Sequence, residues 1–372
     1  MINIATRQRL AVLAPTLGGG IGRVIVNLVN GFVQKGIAVD VLVAKQDGPY
    51  LDLLAPCARI IKLPTTHMVS GIPFLARYLR QTKPYAVLTE SMRCNALVLR
   101  ARRFAGVSTK IFAGIHNTYS MALESRDPSK KIRLLNRMKK YLPLNDGIVA
   151  VSRGVAEDLI RLLDLSCERV KVIYNPVISD DIDYLARQKP GHSWFEKTTP
   201  PIILSAGRLH PQKDFPTLLK AFAVVSKNKP CRLMILGEGE ERNKLEALVC
   251  ELQLQGHVVF PGQVANPYAY MAQSKLFVLS SAWEGFGNVL AEALAVGTPV
   301  VSTDCQSGPR EILQNGLYGA LVPVGNVQAL SQAIHDTLDH EIDSEFLRKS
   351  VQPFQVQTVV DQYFEYFGFS SV

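Results

Sequence analysis

The chain has 372 residues, of which 47% are hydrophobic and 20% charged, with a net charge of +9. That balance excludes a disordered or low-complexity protein and is enough material for two ordinary globular cores. The charge is uneven: residues up to Leu185 carry a net +12 and the remainder −3, and no run of about 18 apolar residues reads as a membrane span. Six cysteines (Cys57, Cys94, Cys167, Cys231, Cys250 and Cys305) form no C-x-x-C pair. Reduced structural thiols in a cytoplasmic protein are expected, rather than disulfides or zinc.

In chain order, residues 10–14, 39–43, 59–63, 86–89, 110–113, 147–151 and 170–173 read as buried strands, with helix candidates such as 22–35, 95–104 and 153–163 between them. The alternation argues a doubly wound α/β domain. After the first strand comes Leu17-Gly18-Gly19-Gly20-Ile21-Gly22-Arg23, where Gly19 and Gly20 would let an anionic ligand approach the backbone at a helix start; a plain tight turn is the alternative. It is not the dinucleotide fingerprint, because Arg23 stands where the third glycine belongs and Asp40 opens the second strand instead of closing it. His116, in Gly114-Ile115-His116-Asn117, ends a strand and is either structural or directed at a ligand. Residues 130–141 hold six Lys/Arg, and Ile132, Leu135 and Met138 can share one helical face. Two readings stand side by side: a helix resting on anionic lipid, or a solvated helix whose apolar side packs on its own domain. The stretch offers little aromatic interleaving, so nucleic acid is not an expected partner.

A boundary follows Asn175-Pro176-Val177, giving a first domain over 1–175 and a polar linker over 176–200. Asp181-Ile182-Asp183 lies in that linker and reads as solvated, not as a metal motif. The alternation restarts at 202–206, 232–236, 258–260, 276–279 and 299–302, so a second domain covers 201–355, followed by an aromatic-rich helix over about 356–372. Its first turn, Gly207-Arg208-Leu209-His210-Pro211-Gln212-Lys213-Asp214, sets a guanidinium fork and an ammonium five positions apart, a pairing suited to a diphosphate. Gly237-Glu238-Gly239 follows the next strand as an ordinary turn by itself.

The densest motif is Ser281-Ala282-Trp283-Glu284-Gly285-Phe286-Gly287-Asn288-Val289-Leu290-Ala291-Glu292. An apolar strand precedes it, and Val289, Leu290, Ala293 and Leu294 recur at helical spacing after it. The backbone amides of Gly287, Asn288 and Val289 therefore fall at a helix start, where they can cradle a phosphate. Glu284 sits before the cradle and Glu292 about 6 Å further along the helix. Carboxylates around a phosphate cradle suit the hydroxyls of a sugar nucleotide. Ser307-Gly308-Pro309-Arg310-Glu311 reads as a serine-capped helix start.

Together these motifs resemble the retaining glycosyltransferases of family four, of GT-B architecture. The resemblance spans nearly the whole chain, and it rests on Gly207-Arg208 with Lys213 and on Glu284-Gly285-Phe286-Gly287 continuing to Glu292. It implies two Rossmann-like domains facing across a cleft, with the last helix crossing back to the first domain. It further implies that Arg208 and Lys213 hold a donor diphosphate and Glu292 the ribose. Glu284 and His116 would act at the transferred sugar, and Gly19, Gly20, Glu238, Phe286, Gly287, Asn288 and Val289 would complete the donor site. No cofactor and no metal are expected. The expected reaction moves a hexose or N-acetylhexosamine, with retention, from a UDP-type sugar to a saccharide or lipid-linked acceptor. Its setting would be bacterial surface-polysaccharide or glycolipid assembly, with peripheral contact at the inner face of the cytoplasmic membrane. A GT-B-type sugar-nucleotide epimerase and a non-catalytic sugar-nucleotide-binding protein are the alternatives.

Overall fold

The computed structural model describes residues 8–370 apart from 46, 47, 49, 65–69, 125, 126 and 197–199. The chain divides into two units, one comprising Met1–Val177 with Val356–Val372, the other Ile178–Gln355.

The first unit is built on seven parallel strands: β1 (Arg9–Ala14), β2 (Ala38–Val43), β3 (Arg59–Lys62), β4 (Ala86–Thr89), β5 (Lys110–Ile115), β6 (Gly147–Ala150) and β7 (Val170–Val172). Their order is β3-β2-β1-β4-β5-β6-β7, so the winding reverses between β1 and β4. Runs such as Leu10-Ala11-Val12-Leu13-Ala14 are buried throughout because helices cover both faces of a parallel sheet. The helix Gly19–Gln34 turns Ile25, Leu28, Val29 and Phe32 onto the sheet at helical spacing. Asp40, fully buried in β2, receives Arg9 Nη1 at 2.5 Å, Arg59 Nη2 at 2.6 Å and the Tyr78 hydroxyl at 2.7 Å. Its role is thereby structural: a buried carboxylate is retained where cations and donors surround it.

The last helix, Val356–Phe367, belongs to this first unit. Phe367 stacks on Phe32 with ring centroids 6.1 Å apart and approaches Phe112 at 4.2 Å, so the aromatic residues of the C-terminal segment fill the unit's core. The helix ends earlier than residue 372, because Gly368 takes a left-handed φ of 74° and stops it; residues 371 and 372 lie outside those described.

The second unit repeats the pattern with β8 (Ile202–Ala206), β9 (Arg232–Leu236), β10 (Val258–Gly262), β11 (Leu276–Leu279), β12 (Val300–Thr303) and β13 (Ala320–Val322), in the order β10-β9-β8-β11-β12-β13. Here the winding reverses between β8 and β11. The three-residue β13 is absent from the sequence expectation, since so short a run carries no period. From Ile178 onward the expected linker is part of this unit. Ile178 N donates to Phe354 O, Asn266 Nδ2 donates to Leu185 O at 2.8 Å, and Phe195 meets Tyr270 edge-on at 5.5 Å. Asp183 is exposed, as expected, and also accepts from Arg348 Nη1 at 3.0 Å.

Candidate functional site

Open parallel sheets bind ligands beyond the carboxyl ends of their strands, at the point where the winding reverses. In the second unit that point is flanked by the loop after β8, carrying Arg208 and Lys213, and the loop after β11, carrying Glu284. The two loops are joined across it. Lys213 Nζ donates to Glu284 Oε1 at 2.5 Å, and Ser281 Oγ donates to the same oxygen at 2.6 Å. Both partners are largely buried, with side chains 16% and 8% exposed. The backbone is pinned as well: Ala282 N donates to Gln212 O at 2.8 Å and Ser280 Oγ to Lys213 O at 2.7 Å. Lys213 and Glu284, 71 positions apart in sequence, therefore form one charge pair at the switch point.

Arg208 is placed differently. Its guanidinium is 70% exposed and donates to Glu240 Oε2 at 3.0 Å, while Lys213 is held by the opposite loop. An incoming diphosphate would meet two cations that already have carboxylate partners. The exposed Arg208 pair is readily exchanged, whereas the buried Lys213 pair is rigid. His210 caps the turn by accepting from Gln212 N and faces Trp283 edge-on.

The helix Asn288–Ala295 starts where the sequence placed it. Its cap is Gly287, left-handed at φ 96°, which supplies no side-chain acceptor to the first amides. By contrast the helix Phe215–Asn228, after β8, is capped by the Asp214 carboxylate. A glycine cap brings no side-chain acceptor of its own to the start of the Asn288–Ala295 helix, whose positive end suits a phosphate. Phe286 is buried edge-on against Phe354 with centroids 5.0 Å apart, fixing the approach to the cap. Asn288, Val289 and Glu292 are half-buried on the helix. Glu238 forms an ion pair with Arg242, and its carbonyl accepts from Leu209 N at 2.9 Å, tying the turn after β9 to that after β8.

At Ser307-Gly308-Pro309 the structure corrects the expected serine cap. The N-cap of the helix Pro309–Ile312 is Gly308, at φ 90°, without a side-chain cap bond. Gly308 is needed for close approach instead: a Cβ there would lie 1.8 Å from Phe286 O. Cys305 is buried nearby, and burial together with the Glu284 carboxylate pushes its thiol well up, so it stays protonated and is no nucleophile.

In the first unit the reversal between β1 and β4 is flanked by the glycine loop. Gly18 caps the helix Gly19–Gln34 without a side-chain bond, and above Gly19 there is open space, since a Cβ would meet nothing within 4 Å. His116, just past β5, is nine-tenths buried against Glu90, just past β4, with Nε2 hydrogen-bonded to Glu90 Oε2. Glu90 was missed in the sequence. The parallel register that sets Leu88 beside Phe112 and Thr89 beside Ala113 brings the next residue, Glu90, to Gly114, and only the register reveals it. Among the described residues no group of three or more His, Cys, Asp or Glu is placed to hold a metal, and no helix is long and apolar enough to cross a membrane.

Two Rossmann-like units with the same winding, the second with a cation–carboxylate pair and a glycine-capped helix at its switch point, define a glycosyltransferase of the GT-B class. Residues 18–181 match the family described as Glycosyltransferase Family 4 and residues 189–352 that described as Glycosyl transferases group 1. The chain belongs to this family, glycosyltransferase family 4, and is a glycosyltransferase. It is 32% identical to the N-acetylgalactosamine-N,N'-diacetylbacillosaminyl-diphospho-undecaprenol 4-alpha-N-acetylgalactosaminyltransferase of Campylobacter jejuni, over 73% of this chain and 72% of that one. It is 25% identical to the lipopolysaccharide 1,6-galactosyltransferase of Escherichia coli K12, over 88% of each. HepE of Anabaena, solved in complex with UDP-glucose, shares the fold with a TM-score of 0.79, covering 96% of this chain and 98% of that one at 20% identity.

Proposed function

We propose that the protein transfers a hexose or N-acetylhexosamine from a UDP-sugar to a saccharide or lipid-linked acceptor, with retention of configuration, in bacterial lipopolysaccharide or related glycolipid assembly. The Lys213–Glu284 pair at the switch point is the observation that carries this reading. A departing nucleoside diphosphate accumulates negative charge, and Lys213, Arg208 and the amides at the Gly287 cap are the groups that stabilise it. Glu284, anchored by Lys213 and Ser281, offers its carboxylate to sugar hydroxyls, and Glu292 offers its own to the ribose. These groups serve the leaving group without a metal, and the leaving phosphate takes the acceptor proton on the same face. The relatives from C. jejuni and E. coli, named for a diphospho-undecaprenol and a lipopolysaccharide substrate, support the lipid-linked acceptor.

The test is a screen of common nucleotide sugars, read by release of free nucleotide, with a lipid-linked or saccharide acceptor. Release that depends on acceptor, with the product α-linked from an α-linked donor, is expected. Inversion at C2 of the donor without acceptor would instead establish an epimerase. By calorimetry, Arg208→Ala should weaken UDP by about 10-fold, the worth of one charge-assisted contact, while uridine binding changes little. Equal losses for the two would refute the diphosphate assignment.

Peripheral membrane contact belongs to the same proposal. The basic helix Pro128–Tyr141 buries Met138 and Tyr141 in its own unit but leaves Ile132 60% exposed, and Leu144 beyond it is 55% exposed. Arg102 Nη2 donates to Leu144 O at 3.0 Å, bringing in the end of the helix Met92–Ala105 with its exposed Phe104. Exposed apolar residues amid lysines and arginines suit an anionic lipid surface. Sedimentation with vesicles containing phosphatidylglycerol should exceed that with neutral vesicles several-fold and fall in Lys139→Glu/Lys140→Glu, at about 1 kcal/mol per charge. Equal sedimentation with both lipids would end the idea.

A further inference from the structure

The chain passes from one unit to the other twice, after Val177 and after Gln355. On the second unit's side of these crossings the two segments are bonded to each other. Ile178 pairs with Gln355 in a parallel bridge, Ile178 N donates to Phe354 O at 3.1 Å, and further along Arg348 Nη1 donates to Asp183 Oδ1 at 3.0 Å. Neither segment carries a group that the glycosyl-transfer reading uses.

The later segment nevertheless holds the phosphate cradle at both ends. Where the helix Asn288–Ala295 finishes, Arg348 Nη2 donates to Val296 O at 3.3 Å, a cation at the negative end of the helix dipole. Gly297, left-handed at φ 83°, permits the close approach: a Cβ there would lie 2.7 Å from Ser344 Cβ. At the other end, before the Gly287 cap, the Phe286 ring meets the Phe354 ring edge-on at 5.0 Å, and both residues are buried. Phe286 has no slack elsewhere, since the Gly308 backbone lies against its carbonyl. A close-packed contact of this kind does not deform continuously, so a shift of Phe354 is passed to Phe286 and to the amides of Gly287, Asn288 and Val289. All of these partners belong to the second unit.

We propose that Phe354 is a positioning residue for the donor diphosphate, and that through it the cradle and the paired crossing segments bias one another. Its ring sets the entry to the cradle, while its carbonyl accepts the Ile178 amide. A diphosphate that fixes the cradle therefore also holds the Ile178–Phe354 bond shut, and loss of the ring contact loosens both. This rests on the reading of the Gly287 cap as a phosphate site and adds to it: nucleotide occupancy is sensed where the chain leaves the unit.

Hydrogen exchange of the full-length chain with and without UDP, read at the single amide of Ile178, is the test. In wild type, saturating UDP should slow that amide by about 10-fold. Coupling is reciprocal, so Phe354→Leu, which keeps an apolar side chain but removes the aromatic edge, should weaken UDP in calorimetry by a similar factor of about 10. At equal UDP occupancy the variant should show no slowing at Ile178, while the amides of Asn288 and Val289 still respond.

Exchange at Ile178 that ignores UDP in the wild type would overturn the proposal, and this arm needs no variant to fold. So would a folded Phe354→Leu chain that binds UDP as tightly as wild type. A variant that keeps the slowing at Ile178 would do the same, because general stabilisation by a ligand acts on both chains alike. If the wild type binds no UDP, the donor reading of the cap fails and the coupling fails with it. If it binds UDP and Ile178 is unmoved, the donor reading stands and only the coupling falls.

Discussion

Lys213→Met is expected to lower kcat for transfer by about 10²- to 10³-fold, the cost of removing one preorganised charge from a leaving-group site. It is also expected to destabilise the fold by about 3–5 kcal/mol, because the buried Glu284 carboxylate would lose its cationic partner. The two effects separate in the double variant. Lys213→Met/Glu284→Gln removes the orphaned carboxylate, so stability should return most of the way while kcat stays low. Urea denaturation and nucleotide release measure the two terms independently. A double variant as active as Glu284→Gln alone would show that Lys213 serves only to neutralise Glu284, and the leaving-group role would be lost.

This pair also shows where the sequence was readable and where it was not. Lys213 and Glu284 each stood out from local context, one in a loop after a strand, the other before a glycine-rich helix start. Their bond is a fact of topology, since β8 and β11 become neighbours only when the winding reverses. Twelve of the strands announced themselves through apolar runs; most are buried, as parallel strands covered on both faces must be, but β3, read as buried, is exposed at both ends and only half-buried between, and β10 is mostly half-buried. Elements without such a run escaped: the three-residue β13, and the segment after Ile178 whose place is decided by partners such as Asn266 and Phe354. Glu90 escaped for another reason. Nothing in its immediate surroundings differs from an ordinary strand end, and its meaning comes from the register that lays it beside Gly114 and His116.

The charge arrangement carries a further consequence for the site. Arg208 and Lys213, read from sequence as a pairing suited to a diphosphate, differ in burial, at 70% and 16% of side-chain exposure. An exposed guanidinium paired with Glu240 exchanges partners at little cost, so it can follow the ligand in and out. A buried ammonium held by Glu284 contributes a fixed field, which acts on the transition state without reorganising. Loss of Arg208 should therefore appear mainly in nucleotide affinity, and loss of Lys213 mainly in turnover.

Gly308→Ala should be among the most damaging single-methyl additions to the second unit. The new Cβ would fall 1.8 Å from Phe286 O and 2.4 Å from Phe286 C, contacts that backbone cannot yield to without moving, and φ at this position is 90°. Conformational strain and overpacking together should cost about 2–5 kcal/mol. Phe286 is buried against Phe354 and cannot retreat inward, so the displaced carbonyl shifts Gly287 and the amides that follow it. UDP affinity should then fall by more than the change in stability alone would explain. Gly316→Ala is the matched control: φ there is 99° but a Cβ would meet nothing within 4 Å, leaving only the backbone penalty of about 1–2 kcal/mol. Calorimetry and thermal melting of the two variants separate strain from contact. If Gly308→Ala loses no more stability than Gly316→Ala and binds UDP as tightly, the approach of Gly308 to Phe286 does not hold the phosphate cradle in place.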